Sequence, residues 1–125
     1  MSSDSVNEYE TGASDIRPWG KWTVLSSRDG CVVKEIVVEP GQVLSLQSHE
    51  HRAEHWIVLE GTAEVTIDDS VIQRNSNEVV FIPAKSKHRI ANIGDTKMRF
   101  VEVQTGEILS EADIKRYEDK YGRSS

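Results

Sequence analysis

The chain has a single cysteine, Cys31, in 125 residues. It therefore cannot close an internal disulfide, which fits a reducing cytoplasm. No stretch approaches the roughly 20 consecutive apolar residues that a membrane-spanning helix needs. No basic segment followed by an apolar one stands at the N-terminus, so no secretory leader is expected. Lys and Arg never gather into a long run, and the net charge is -6. Phosphate neutralisation along a nucleic acid needs clustered cations, so that partner is disfavoured. The length fits one domain, and 37% hydrophobic residues suffice for a compact core.

Residues 1–16 are polar and acidic, with Asp4, Glu8, Glu10 and Asp15. They read as a flexible tail, with a single domain over 17–125 that begins at Arg17-Pro18-Trp19-Gly20. From there to about residue 105 the chain is rich in Val, Ile and Thr, with a turn signal every eight to twelve residues. That spacing predicts an all-β sandwich or barrel of short strands: Lys21–Ser27, Val32–Glu39, Val43–His49, Glu54–Glu60, Ala63–Ile67, Val71–Gln73, Glu78–Ile82, His88–Asn92 and Met98–Gln104. Asp29-Gly30, Pro40-Gly41, Gly61, Asp68-Asp69, Pro83 and Gly94-Asp95 break them. One short C-terminal helix is expected, with Ser110 before Glu111-Ala112-Asp113 as its start, Ile114 and Tyr117 on one face and Gly122 as its stop.

All four histidines are candidate ligands: His49, His51, His55 and His88. Three of them fall within Gln47-Ser48-His49-Glu50-His51-Arg52-Ala53-Glu54-His55. Two geometries compete for this segment. His51-Arg52-Ala53-Glu54-His55 matches the H-x-x-E-H string of inverzincin proteases, which requires a helix. The string runs instead into Trp56-Ile57-Val58-Leu59, which is strand-like. The second geometry is a β-barrel site. Alternate residues of a strand share a face, so Gln47 and His49 point together. A short turn brings in Glu54, and His88 arrives from a strand beyond Pro83. Two imidazoles, a carboxylate and an amide suit Zn²⁺, Mn²⁺, Co²⁺, Ni²⁺ or Fe²⁺, with positions left for water or substrate.

The spacing carries a resemblance. Gly41, five residues, Gln47-Ser48-His49, four residues, Glu54, six residues and Gly61 follow the first cupin motif, with Gln47 in place of the usual histidine. Asn77, five residues, Pro83-Ala84-Lys85, two residues, His88, three residues and Asn92 follow the second, with both glycines replaced. Asn77 tolerates a positive φ readily, Lys85 less so. The chain thus resembles cupins, which implies a double-stranded β-helix, or jelly-roll barrel.

The resemblance narrows further. Arg17-Pro18-Trp19-Gly20, Leu44-Ser45-Leu46-Gln47, His51-Arg52-Ala53-Glu54-His55-Trp56, Ile82-Pro83-Ala84, Glu102-Val103-Gln104-Thr105-Gly106 and Tyr121-Gly122-Arg123 look like the C-terminal cupin of type II phosphomannose isomerases. Those are bifunctional mannose-6-phosphate isomerase/mannose-1-phosphate guanylyltransferases. The resemblance implies one divalent ion, zinc first, on Gln47, His49, Glu54 and His88. It implies interconversion of mannose 6-phosphate and fructose 6-phosphate through a metal-stabilised enediol. His51 and Glu102 are the candidates for the base. Arg52, itself a catalytic candidate, leads those for the substrate phosphate, followed by Lys87 and Arg89, because a guanidinium grips phosphate oxygens in pairs. A homodimer or an N-terminal segment bearing Trp19 is expected to cover the second face of the sheet. A separate nucleotidyltransferase is a candidate partner. Two other readings stand beside this one. One is a different metal-dependent cupin enzyme, a dioxygenase or epimerase. The other is a non-enzymatic module binding a sugar or nucleotide sugar.

Overall fold

Alternation along the strands separates a buried row from an outer row. In Cys31–Val38 every second residue, Val32, Lys34, Ile36 and Val38, is buried. In Met98–Thr105 the buried row is Met98, Phe100, Glu102 and Gln104. A period of two with one face inward is what a strand packed on a core demands. The computed structural model describes residues 10–110 and 112–118, all of them strand, turn or loop. The strands are β1 (Ser14–Arg17), β2 (Gly20–Arg28), β3 (Cys31–Val38), β4 (Leu46–Ser48), β5 (Ala53–Glu60) and β6 (Ala63–Ile67), then β7 (Ser70–Arg74), β8 (Val79–Ile82), β9 (His88–Asn92), β10 (Met98–Thr105) and β11 (Lys115–Glu118).

They form two antiparallel sheets, β1-β2-β3-β10-β5-β8 and β11-β4-β9-β6-β7. This is the expected all-β barrel. Between the sheets lie Trp19, Ile36, Val38, Trp56, Val58, Val65, Ile82, Ile90, Met98 and Phe100, all buried. Each such side chain contributes on the order of 1.5–3 kcal/mol by leaving water. The inward rows then change character together. Val38 and Ile36 give way to Lys34, Phe100 to Glu102, Val58 and Trp56 to Glu54, and Ile90 to His88. Register aligns the change, with Lys34 opposite Glu102, Glu102 opposite Trp56, Gln104 opposite Glu54 and Gln47 opposite His88. One end of the barrel is therefore apolar and the other carries a buried polar layer.

Two expectations are corrected. The short C-terminal helix is absent from the described residues: Lys115–Glu118 is a strand paired with β4, Lys115 opposite Ser48 and Arg116 opposite Gln47. Ser110 does use its hydroxyl as a cap would, accepting from the Ala112 backbone N–H at 3.1 Å. The chain then leaves the turn to pair with β4, because a short, otherwise lone edge strand gains more from a ladder and from the 2.8 Å Ser48–Tyr117 hydroxyl contact than from one helical turn. The expected stop at Gly122 lies outside the described residues. The tail boundary also moves, since Ser14–Ile16, inside the segment 1–16, pairs with Thr23, Trp22 and Lys21 of β2.

The two positions where the second motif lacks glycine both keep a left-handed backbone, with φ of 71° at Asn77 and 73° at Lys85. The turn geometry persists although the residue that favours it has gone.

Candidate metal centre

β4 and its following turn, β5 and β9 meet at the polar end of the barrel. His49, Glu54 and His88, all buried, bring their ligating atoms within 4.8 Å of one another. His49 Nε2 lies 3.3 Å from Glu54 Oε2, and His88 Nε2 lies 4.0 Å from Glu54 Oε1. Each imidazole is oriented from behind. His49 Nδ1–H donates to the Asp113 carbonyl at 2.7 Å and His88 Nδ1–H to the Ser86 carbonyl at 3.0 Å. Both rings thus turn Nε2, with its lone pair, toward the cluster, the arrangement that prepares histidines for metal.

Electrostatics favour the ligating forms. Burial lowers the His49 pKa to about 4, helped by the Arg52 charge. Burial lowers that of His88 as well. Burial alone would raise the Glu54 pKa, but Arg52, His88 and His49 together bring it well below the usual carboxylate range. Neutral imidazoles around an ionised carboxylate are what a divalent ion requires. Glu54 is further fixed by Trp56 Nε1–H on Oε1 at 2.9 Å and Arg52 Nε–H on Oε2 at 2.8 Å. Trp56 itself packs on Phe100, ring centroids 5.4 Å apart, so the core holds the carboxylate in place.

Gln47, the fourth expected ligand, lies opposite His88 and lines a cavity with Glu54 and His88. Its Nε2–H donates to Ser45 Oγ at 2.8 Å, leaving the carbonyl end of the amide as the donor a cation would take. Gln47, His49, Arg52 and Glu102 line a cleft of about 90 Å³, together with Trp19, Trp22, Leu44 and Ile114. Its walls also carry Arg17, Lys34 and Arg116. Four cations and one carboxyl group thus line the cleft, Arg17 paired with Asp15 at 2.7 Å and Arg52 with Glu54 at 2.8 Å, in a chain whose net charge is -6. The carboxyl group, Glu102, has its pKa pushed up to about 8 by burial and then by the neighbouring charge of Glu54.

The other expected residues are distributed differently. His51 is exposed on the turn after His49, its backbone N–H donating to Asp113 Oδ2 at 2.9 Å, and it is not among the cleft-lining residues. Lys87 is exposed, with Nζ 4.3 Å from the centre of the Tyr117 ring. Arg89, half-buried in the outer row of β9, donates to the Leu44 carbonyl and to Glu118 Oε1 and lines a smaller cavity with Gln47, Glu54 and His88. Sequence reasoning missed Lys34 and Asp113. Lys34 is a charged residue in an otherwise apolar inward row, a signal its β3 parity could have raised. Asp113 reads locally as a helix-start acid. In the fold, its carboxylate accepts the backbone N–H groups of Glu50 and His51 while its carbonyl holds His49.

Comparison with known proteins agrees with this architecture. A protein from Klebsiella pneumoniae with a double-stranded β-helix domain superposes with a TM-score of 0.69 at 23% identity, over 92% of this chain and 96% of that one. The fold is that of the cupins. The alginate biosynthesis protein AlgA of Pseudomonas fluorescens is 50% identical over all of this chain and 26% of its own length. The mannose-1-phosphate guanylyltransferase of Escherichia coli K12 is 41% identical over 98% of this chain and 26% of its own length. The chain therefore spans about a quarter of the length of these curated relatives. The family model described as mannose-6-phosphate isomerase C-terminal matches residues 4–119. With the barrel, the motif spacing and that match in agreement, the chain belongs to the mannose-6-phosphate isomerase C-terminal family.

Proposed function

We propose that this domain is a metal-dependent sugar-phosphate isomerase that interconverts mannose 6-phosphate and fructose 6-phosphate. One observation carries the reading: a buried His49–Glu54–His88 donor set adjoins a cleft walled by Arg17, Lys34, Arg52 and Arg116. Gln47, His49, Glu54 and His88 would hold the ion, zinc first among the divalent candidates. When bound, it supplies Lewis-acid polarisation of the substrate oxygens. The remaining work falls to the chain itself. The cations on the cleft wall bind the phosphate, and Arg17, Lys34 and Arg116 now join Arg52 in that role ahead of Lys87 and Arg89. The apolar walls formed by Trp19, Trp22, Leu44 and Ile114 exclude water around the sugar carbons.

Isomerisation removes a proton from C2 of the open-chain aldose and returns one to C1, with a hydroxyl proton shifting between the two oxygens. Glu102 is the group in the cleft able to carry that proton on a carboxyl oxygen. A carboxyl with a pKa raised to about 8 exchanges protons near neutrality. Gln104 Nε2–H holds Glu102 Oε2 at 2.7 Å and keeps the group aimed. His51 is the second candidate, from an exposed position. The test is a coupled assay of metal-loaded protein with Glu54→Gln as control. Turnover abolished by that substitution supports the reading, and no turnover at high enzyme concentration refutes it.

A second reading is favoured by the 41% identity to a protein named as a mannose-1-phosphate guanylyltransferase. It makes this domain a sugar- or nucleotide-sugar-binding module beside a separate nucleotidyltransferase. Ligand-induced thermal stabilisation without turnover would select it. We place the protein in the cytoplasm. We expect a second copy over the outer face that carries Ile57, Val79 and Phe81, each exposed. Light scattering showing only a monomer would remove that expectation.

A further inference from the structure

The guanidinium of Arg52 occupies the lone pairs that a metal ion would use. Its Nη2 lies 3.1 Å from His49 Nε2 and 2.8 Å from Glu54 Oε2. Its Nε–H donates to the same Oε2 at 2.8 Å. The tautomer of His49 follows from the other side of the ring: Nδ1 faces a carbonyl oxygen at 2.7 Å and must carry the hydrogen. A neutral imidazole with hydrogen on Nδ1 has one lone pair, on Nε2. That lone pair serves Arg52 Nη2 or a metal ion, never both. Glu54 Oε2 is engaged by the same guanidinium, with Nε and Nη2 each 2.8 Å from it.

We propose that Arg52 is the resident cation of the metal-free site, and that a divalent ion enters by displacing Nη2 from His49 and Glu54. The inference rests on the metal-site reading above. Burial explains why a substitute is needed. Glu54 is 1% exposed and Arg52 6% exposed, and an ionised carboxylate so deeply buried requires a counter-charge. The exchange is local. Nη2 touches both atoms in dispute, whereas the Nε–H bond to Oε2 can persist as an anchor. The cleft, which Arg52 itself lines, offers the displaced end somewhere to go. Arg52 thereby acts as a positioning residue that sets metal affinity: it keeps the donors assembled without metal and competes with the ion that replaces it.

The experiment uses the full chain stripped with a chelator and titrated with Zn²⁺ and Co²⁺ by calorimetry, for wild type and Arg52→Met. Loss of a charge-assisted contact that competes for the donors is expected to tighten binding by about ten- to a hundredfold. The metal-free variant is expected to melt below wild type and to recover more on Co²⁺ addition. Equal or weaker Co²⁺ binding by the variant, with the wild type binding normally, overturns the proposal and leaves the metal site standing. Absence of binding by both proteins sinks the metal site itself, and this inference with it. Should Arg52→Met fail to fold without metal, wild type decides by nitrogen-15 NMR of the arginine side chains. The Arg52 guanidinium resonances are expected to shift on saturation with diamagnetic Zn²⁺, and unchanged resonances refute the displacement.

Discussion

Replacing Glu54 with Gln keeps the shape of the side chain and removes its charge, which isolates the electrostatics of the candidate metal centre. Glu54 is buried among Arg52, Trp56, His49 and His88. In Glu54→Gln the Arg52 charge stays buried, 6% exposed, opposite an amide that satisfies it only in part. Breaking a buried pair in this way costs about 3–5 kcal/mol, most of it the penalty of the abandoned charge. The Trp56 Nε1–H bond can survive on the amide oxygen, so the lower half of that range, about 3 kcal/mol, is expected. The assay is urea unfolding of the metal-free protein in chelator at pH 7, where an unchanged slope with urea would show that the difference is one of stability. The double variant Glu54→Gln/Arg52→Met should recover most of the loss, because a neutral pair of similar volume leaves no buried charge. Glu54→Gln within about 1 kcal/mol of wild type, or a double variant no better than the single one, would refute the buried ion pair.

Three further outcomes are expected. Lys85→Gly should raise stability by about 1 kcal/mol in the same urea assay, since a lysine at φ 73° carries a left-handed backbone that glycine adopts without strain. Gly106→Ala should destabilise by about 3 kcal/mol, because the added Cβ would meet the His51 carbonyl oxygen at 2.3 Å and push on the turn that carries His49 and Arg52. Glu102→Gln should change the pH dependence of the metal-free protein. With its pKa raised from 4.5 to about 8, Glu102 binds more proton folded than unfolded, so its contribution is intact below 4.5 and is lost as pH rises through 8. His49, lowered from 6.5 to about 4, has the opposite slope, with stability lost as pH falls from 6.5 toward 4. The two oppose each other between 4.5 and 6.5. Wild type should therefore lose stability from pH 6.5 to 8, whereas Glu102→Gln stays level there, as followed by thermal melts across that range. A wild-type profile level from 6.5 to 8 would contradict a raised Glu102.

Local signals carried the barrel strands and the candidate donor set. Period-two alternation in Cys31–Val38 and Met98–Thr105, and turn residues between strands, are short-range properties that any partner strand reads in the same way. The spacing of Gln47, His49 and Glu54 across one turn is equally local, and motif spacing linked His88 to them before any coordinates did. The replaced glycines at Asn77 and Lys85 left the turns legible because spacing, rather than residue type, marks them. Lys115–Glu118 was not legible. Its acidic start and Ser110 favour a helix, and only the open edge of β4 makes it a strand. Long-range pairing also brought Asp113 to His49 and placed Arg116 beside Gln47. It set Lys34 opposite Glu102 and brought Arg89 of β9 to Glu118 of β11. The sequence by itself thus determined the strands and their inward rows, which depend on neighbours within a few residues, and marked the candidate donors by motif spacing. Which cations face the cleft, and which of them rests on the metal donors, was decided only by tertiary structure, because charge acts through space and on whatever the sheet register brings within reach.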